Sequence, residues 1–365
     1  MASDDFFEID FLAVETAKSG DAITLRYKID GEEFIHVVYG GFTETGEKVL
    51  SHINTYYGDN AYIDNVVLTH SDGDHARGLK YVLENGNVGA LWMNRPWLYV
   101  DELIERFATY NSTEALKSRL KKCYPVIAEL EEIAMAKGIS ISEAFQGTQI
   151  GAFVVMSPPK SVYLDLIVES EKTPEGIEES EKTLAQTINE AFMKAANAVT
   201  GFFAALWGDE TFSPQETSAE NEMSVVQFAE LSGKKILLTG DTGRRGLQQI
   251  VDYAPYVGLT LPGIDRFQVP HHGSRRNVST ELLDKILGKR YASQNEAPSQ
   301  HFMAFISSAL EDKHHPRKSV ERAMMHRGGF LAATEGQNVC TFHNAPERAK
   351  WTAVAPRPYP TEQEQ

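Results

Sequence analysis

The chain has 365 residues, 42% hydrophobic and 24% charged, which is typical of a globular protein with one large domain or two. Its net charge of −16 argues against broad, sequence-independent adhesion to nucleic acid, and no apolar run has the length of a membrane span. Two cysteines make no disulfide framework, and the acidic N-terminus lacks the features of a signal peptide. A cytoplasmic location without membrane attachment is therefore expected.

The first part of the chain predicts strands around one helix. Alternating apolar residues predict a hairpin over 22–39 that turns at Asp30–Gly31, a common hairpin dipeptide. Helical spacing follows over 45–57, and the apolar run 63–68 predicts a buried strand.

The middle of the chain is predominantly helical in pattern. Residues 95–220 are predicted to be a largely helical insertion, with a long helix from Leu184 to Leu206. Within this region, residues 152–157 have the pattern of a strand that ends at two prolines.

Strands and helices alternate in the last part. Strands are predicted over 223–229, 235–239, 267–269, 301–307, 330–333 and 338–342, and helices over 246–253, 280–287 and 317–326. Ser232–Gly233 is a second hairpin signal. We expect one domain over 1–355 and a disordered, Pro- and Gln-rich tail over 356–365.

The strand over 63–68 runs directly into a cluster of potential metal ligands. His70, Asp72 and Asp74 alternate, and His75 follows at once. Side chains two apart in an extended backbone point the same way, so the first three are predicted to converge and His75 to turn to a second point beside them. The alternative is a polar surface turn, which Ser, Gly and Asp also favour.

Three later strand ends carry similar residues. Asp241 follows one strand, His271 and His272 follow another, and His314 and His315 precede Pro316. Together with the first cluster they provide enough imidazoles and carboxylates for two metal ions. A donor set without thiolate suits Zn²⁺, Mn²⁺ or Fe.

These motifs resemble the metallo-β-lactamase superfamily in order and spacing, and its ComEC-type DNA-uptake branch in particular. The resemblance is carried by the His/Asp cluster with Asp72 at its second ligand position, the strand ending in Gly240–Asp241, and Pro270-His271-His272-Gly273-Ser274. Weaker matches are the turn Gly20–Asp21–Ala22 and the segment beginning at Asn221. The resemblance implies an α/β fold, the metallo-β-lactamase αββα sandwich of two mixed β-sheets flanked by helices.

The resemblance also implies a dinuclear site for Zn or Mn. His70 and Asp72 would hold one ion, Asp74 and His75 the other, and Asp241 would bridge them; either His271 or His272 would be the last ligand. Asp74 would orient the water, and His272 or His315 would act as acid. The implied substrate contacts are Asn221, Ser274, Arg275 and Arg244, with capping of the next helix an equal alternative for Ser274.

One departure from the branch lies after the third strand. The branch usually has Asp-Gly-Gly there, whereas this chain has Tyr39–Gly40–Gly41. A carboxylate that orients a ligand is therefore expected to be missing.

The functional prediction is a metal-dependent hydrolase, most specifically a phosphodiesterase or nuclease with nucleic acid or another phosphodiester as substrate. Two alternatives stay open. One is a hydrolase of a carboxylic ester, lactone or thioester, since one fold supports many chemistries. The other is an effector that is inactive alone and regulated by a protein partner bound through the helical insertion.

Overall fold

Two seven-stranded mixed β-sheets lie face to face in this computed structural model, which describes residues 5–173, 202–298 and 300–364. The first sheet contains, in spatial order, β15 (Val339–His343), β1 (Phe6–Phe11), β2 (Ala22–Ile29), β3 (Glu32–Gly40), β4 (Tyr62–Val67), β5 (Asn87–Trp92) and β6 (Ser140–Ser142). The second contains β14 (Gly329–Ala333), β13 (Phe302–Ile306), β12 (Arg266–Gln268), β11 (Lys234–Leu238), β10 (Val226–Leu231), β8 (Phe153–Ser157) and β7 (Gln149–Ile150).

Helices cover the outer face of each sheet. The layer on the first sheet includes α1 (Thr45–Tyr56), α2 (Gly73–Asn85), α3 (Val100–Leu103), α4 (Thr113–Cys123), α5 (Pro125–Lys137) and α6 (Lys160–Glu169). The chain continues with α7 (Ala219–Glu222), α8 (Arg244–Tyr253), α9 (Thr280–Leu287) and α10 (Lys318–His326), of which the last three pack on the second sheet. A third apolar core fills the space between the sheets, where Phe11 stacks on Phe305 at 4.8 Å between ring centroids. The predicted αββα architecture is confirmed.

Both predicted hairpins form with two-residue turns. Ile29 pairs with Glu32 across Asp30–Gly31, whose φ angles are 52° and 90°. Such left-handed backbone at both turn positions is what a type I′ turn requires, and glycine adopts it without steric cost. The turn at Ser232–Gly233 has the same character.

The region 95–220 is more than an insertion of helices. Its strands β6, β7 and β8 belong to the two main sheets, and β8 pairs directly with β10. The predicted helix from Leu184 to Leu206 falls mostly outside the described residues; at its end, Phe202–Ala204 form a strand, β9.

The end of the chain also differs from the prediction of disorder. Glu362–Glu364 form β16, which pairs antiparallel with β9. The side chain of Glu364 accepts hydrogen bonds from the backbone N–H groups of Lys318 and Ser319, at the start of α10. These bonds satisfy N–H groups that have no partner inside the helix, which explains why the segment is held in place. Among the described helices, none combines the length and apolar character needed to span a lipid bilayer.

A buried ion cluster fastens the segment after β9 to the second helical layer. The carboxylate of Glu210 lies 2.7 Å from Nη1 of Arg327 and 2.9 Å from Nδ1 of His326, and Arg327 also pairs with Asp284 at 2.6 Å. Burial raises the pKa of Glu210, but its hydrogen bonds with His326 and Arg327 outweigh burial and lower the pKa to about 2.

This cluster predicts acid-sensitive stability. The pKa of Glu210 lies below its ordinary value of 4.5, so its stabilisation is present above pH 4.5 and is lost as the pH falls toward 2. Glu210→Gln should lower the free energy of unfolding by about 3 kcal/mol at pH 7. The difference from the natural protein should shrink between pH 4.5 and 2 in denaturant titrations. Glu281→Gln, which removes an exposed partner of Lys285, is the control and should show no such trend.

Candidate metal centre

The predicted ligands meet at the carboxyl ends of parallel strands from both sheets. His70 and its neighbours follow β4, Asp241 follows β11, and the His271–His272 pair follows β12. The N–H of Val225, just before β10, bonds to the carbonyl of Thr69 at 3.1 Å and so joins the loops of the two sheets. Ligand sites of open α/β sheets form in this position because loops from several strands converge there.

Asp72 does not take the position predicted for it. The strand ends at Val67 and α2 begins at Gly73, so Asp72 is the N-cap residue of a helix and not part of an extended run. The rule that residues two apart share a face therefore fails at this position. The Asp72 carboxylate is 33% exposed and lies 2.6 Å from Nζ of Lys172.

The loop after β12 turns its two histidines in different directions. His271 and His272 both have left-handed backbone, with φ angles of 48° and 54°. Non-glycine residues rarely adopt this conformation, and its cost of roughly 1–3 kcal/mol each is typical of functional sites. The prediction left open which of the two is a ligand; the rings face different carboxylates, so both are available.

One ring nitrogen of each histidine is held by the protein. Nδ1 of His272 donates to the carbonyl of Ser307 at 2.9 Å, which leaves Nε2 as the nitrogen with a free lone pair in the neutral ring. The other Nδ1 contacts are from His70 to Thr69 and Ser224 at 3.1 and 3.2 Å, and from His271 to Asn277 and Asn221 at 3.1 Å each.

The Nε2 atoms of the histidines face two carboxylates, those of Asp74 and Asp241. The first group of side chains surrounds Asp74. Its Oδ2 lies 3.7 Å from Nε2 of His75 and 3.6 Å from Nε2 of His272. Oδ2 of Asp241 lies 3.3 Å from the same His75 nitrogen. A tetrahedral zinc with bonds of ~2.0–2.2 Å separates its ligands by roughly 3.3–3.6 Å, so this spacing fits one cation.

A second group shares Asp241. Nε2 of His70 and Nε2 of His271 lie 3.8 and 3.7 Å from its Oδ2. Oδ2 of Asp241 therefore faces both groups of imidazoles.

Asp21 is a site residue that the prediction did not include. It forms a buried group with His75, Asp241 and His272, with one ligand atom from each within 4.8 Å of the others. Its Oδ2 faces the Nδ1 atoms of His75 and His272, at 3.6 and 3.7 Å, on the side opposite to Asp74. Carboxylates in this position orient metal-bound imidazoles and raise their basicity.

In the sequence, the Gly20–Asp21–Ala22 turn was the pattern that could have pointed to Asp21. Asp21 can approach because Gly20 has no side chain: a Cβ there would lie 2.7 Å from the carbonyl oxygen of Asp74. Tyr39, at the position where an Asp was expected from the resemblance, packs its ring edge on His75 at 4.9 Å between ring centroids. Asp21, in the turn that leads into β2, therefore supplies the orienting carboxylate that was expected to be missing.

The cluster is strongly coupled electrostatically. Burial lowers the pKa of His75, but the carboxylates of Asp241 and Asp74 outweigh burial and raise the pKa to about 10. Burial also lowers the pKa of His272, but the charge of Asp241 and the hydrogen bond with Asp74 outweigh burial and raise the pKa to about 9. Burial and the charge on His75 together lower the pKa of His70 to about 4. Protons thus compensate the carboxylates wherever a cation does not.

The residues present fit a divalent cation. Within the part of the chain that the structure describes, four buried atoms at this centre have no hydrogen-bond partner: Nε2 of His70, His75 and His272 and Oδ1 of Asp241. Buried polar atoms are normally paired, so their concentration at one point indicates a shared ligand. Imidazole and carboxylate donors suit Zn²⁺ or Mn²⁺.

Three other predicted site residues are positioned by contacts within the protein. His315 lies at the centre, with its ring stacked on His271 at 5.5 Å between centroids and its Nδ1 3.2 Å from Oδ2 of Asp312. Asn221 is buried against His271, so it positions that ring. Ser274 is buried and accepts from the N–H of Arg276, while Ser279 caps α9; the capping alternative for Ser274 does not hold.

The guanidinium of Arg244 forms its hydrogen bonds within the protein. Its guanidinium donates to the carbonyls of Val278, at 3.0 Å, and of Ser213. It fastens the loop that carries Arg275, whose carbonyl accepts from the N–H of Ser213. The predicted substrate contact by Arg244 is therefore replaced by a structural one, because backbone carbonyls satisfy its donors.

No family model matches the chain, and no curated protein is significantly similar to it. Solved structures with similarity include the hydrolase AbOPH of the beta-lactamase superfamily, at 13% identity over 67% of this chain and 75% of that chain, with a TM-score of 0.32. A beta-lactamase domain protein from Burkholderia ambifaria is 15% identical over 75% of this chain and 71% of its own, with a TM-score of 0.33.

Metal binding should release protons and strengthen with pH. At neutral pH without metal, His75 and His272 are protonated because their pKa values are about 10 and 9. Each must lose a proton to bind a cation, so the logarithm of the zinc affinity should rise by about 2 per pH unit between pH 6 and 8. Chelator competition measures this slope. An affinity independent of pH would contradict the assignment of these two rings as ligands.

Asp21 should affect affinity without being essential to the fold. Asp21→Asn removes the charge that faces the Nδ1 atoms and should weaken zinc binding about 10- to 100-fold. The matched control is Asp64→Asn, which alters a partly buried carboxylate bonded to the N–H of Ile35 in the first sheet. Equal zinc affinities in both variants, measured by chelator competition, would refute the orienting role of Asp21.

Proposed function

We propose that this protein is a metal-dependent phosphodiesterase that acts on nucleic acid or a nucleotide, with two divalent ions, Zn or Mn, as cofactors. The observation that carries the proposal is the arrangement of four imidazoles around two carboxylates. Each of the four has Nδ1 turned to a protein group and Nε2 turned to Asp241 or Asp74. Such pre-orientation is characteristic of metal ligands.

Two positions would hold the ions. His70, His271 and Asp241 would form one, and Asp74, His75 and His272 would form the other with Asp241 shared. A pair of divalent ions supplies an activated water near neutral pH and positive charge for the non-bridging oxygens of a phosphodiester.

Two groups of the chain are available for proton transfer and orientation. The side chain of Asp74 is 28% exposed, so it can accept a hydrogen bond from a water that enters the centre. Asp312 fixes the ring of His315 through Nδ1, and burial together with the charges on His272 and His271 lowers the pKa of His315 to about 4. In the neutral ring Nε2 then has a free lone pair, so it is the atom that would accept a proton from a water entering the centre.

A basic rim favours an anionic substrate over a neutral one. Arg275 and Arg276 follow the His271–His272 loop, and Arg317 follows His315. The N–H of Arg317 bonds to the carbonyl of Gly273 at 3.0 Å, so both loops lie side by side. The Arg317 guanidinium is partly exposed, and within the described residues it has no hydrogen bond or ion pair. Guanidinium groups bind phosphate oxygens in bidentate fashion, which supports a phosphodiester against a carboxylic ester.

The test is metal-dependent cleavage by purified protein. With Mn²⁺ or Zn²⁺, the protein should cleave DNA, RNA or a bis-aryl phosphodiester, and a chelator should abolish the activity until metal is added back. The double variant His70→Ala, Asp74→Ala should lose at least 1,000-fold in rate, since it removes a ligand from each position.

Two comparisons make this result specific. His301→Ala removes an exposed histidine at the opposite end of β13 and should keep full activity. Turnover of lactones or thioesters without cleavage of any phosphodiester would overturn the proposal. Absence of any turnover at full metal occupancy would overturn it as well.

A further inference from the structure

The ion pair between Asp72 and Lys172 joins the ligand loop to the helical layer. Nζ of Lys172 lies 2.6 Å from Oδ1 of Asp72, and the two side chains are 41% and 33% exposed. Isolated surface pairs of this kind contribute little to stability. Its position is what gives the pair significance, because Asp72 stands between the ligands His70 and Asp74 in the chain.

The backbone that carries Lys172 is firmly held. Oγ of Ser170 accepts from the N–H of Lys172 at 3.2 Å and from the hydroxyl of Tyr124 at 3.2 Å, and it donates to the carboxylate of Glu220. The hydroxyl of Thr173 donates to the carbonyls of Ile167 and Ser170 at 2.6 and 2.8 Å. The backbone of the turn after α6 is therefore fixed, and the Lys172 side chain extends from it to Asp72 in the ligand loop.

The contact leaves donors of the lysine unused. An ammonium group has three N–H donors, and the bond to Asp72 occupies one. Asp72 is the N-cap of α2, the helix that carries Asp74, so the pair lies beside the loop that holds the ligands of the centre. A cation that is partly exposed, held in place and beside a metal position is suited to a non-bridging oxygen of an anionic substrate.

We propose that Lys172 is a catalytic residue that binds a charged phosphate oxygen of the substrate, and that Asp72 is the residue that positions it and not a metal ligand. The inference about Lys172 rests on the proposed phosphodiesterase function. The inference about Asp72 concerns metal content and can be tested without any activity.

The first experiment measures bound metal by elemental analysis. Asp72→Asn should retain the metal stoichiometry of the natural protein, whereas His70→Ala should lose up to one ion per chain. A loss in Asp72→Asn equal to that in His70→Ala would overturn the assignment of Asp72.

The second experiment measures the affinity of the metal-loaded protein for inorganic phosphate by calorimetry. Lys172→Met should weaken binding about 10- to 100-fold, the effect of losing one charge-assisted hydrogen bond. Lys172→Arg should restore part of it. Lys160→Met is the matched control, because Lys160 is the first residue of α6, the helix that precedes the turn with Lys172, and forms an exposed pair with Glu102 at 2.7 Å. Equal phosphate affinities in the Lys172→Met and Lys160→Met variants would overturn the role of Lys172.

The third experiment compares substrates of different charge. Lys172→Met should lower kcat/KM on a bis-aryl phosphodiester about 10- to 100-fold and change it little on a neutral phosphotriester. Combining Asp72→Asn with Lys172→Met should add nothing to the loss caused by Lys172→Met alone. Equal losses on diester and triester would overturn the charge-specific role. A natural protein that cleaves no diester yet shows the phosphate effect would refute the proposed function and leave the anion contact of Lys172 in place.

Discussion

The mutual repulsion of buried carboxylates is the constraint on which the centre depends. Asp21 and Asp241 are almost fully buried, and Asp74 stands beside them. Uncompensated charge in this environment costs several kcal/mol per ion, so the fold must bring in positive charge. Imidazoles can compensate this charge in either protonation state. Protonated imidazoles neutralise the carboxylates directly, and neutral imidazoles can bind a cation together with the carboxylates. One arrangement therefore compensates the charge of the buried carboxylates with or without metal.

Each of the two sheets supplies part of the centre. The first sheet supplies His70, Asp74, His75 and, from an adjacent turn, Asp21; the second supplies Asp241 and the His271–His272 pair. Their ligand atoms come together because the apolar core between the sheets fixes the distance between the strand ends. The strained backbone of His271 and His272 is tolerable because each ring is anchored through Nδ1.

Charge is distributed unevenly over a protein that is acidic as a whole. The net charge of −16 opposes general adhesion to polyanions, whereas Arg275, Arg276 and Arg317 gather on the loops around the centre. Lys172 approaches from the opposite layer, held by Asp72. Under the proposed function, local fields of this kind would select and orient an anionic group at the site without favouring its binding elsewhere.

The amino-acid sequence by itself determined the strands, the hairpins and most of the ligand identities. Apolar alternation, two-residue turn signals and ligand-type residues at strand ends are local properties, so β2, β3 and β11 and the positions of His70, His75 and Asp241 could be predicted from them. The roles of Asp72, Asp21 and Arg244 could not be. The helix that begins at Gly73 turns Asp72 outward, Gly20 lets Asp21 approach from another strand, and nearby carbonyls occupy Arg244. Only the tertiary structure decides these roles, because each depends on a partner distant in the chain whose approach no local pattern encodes.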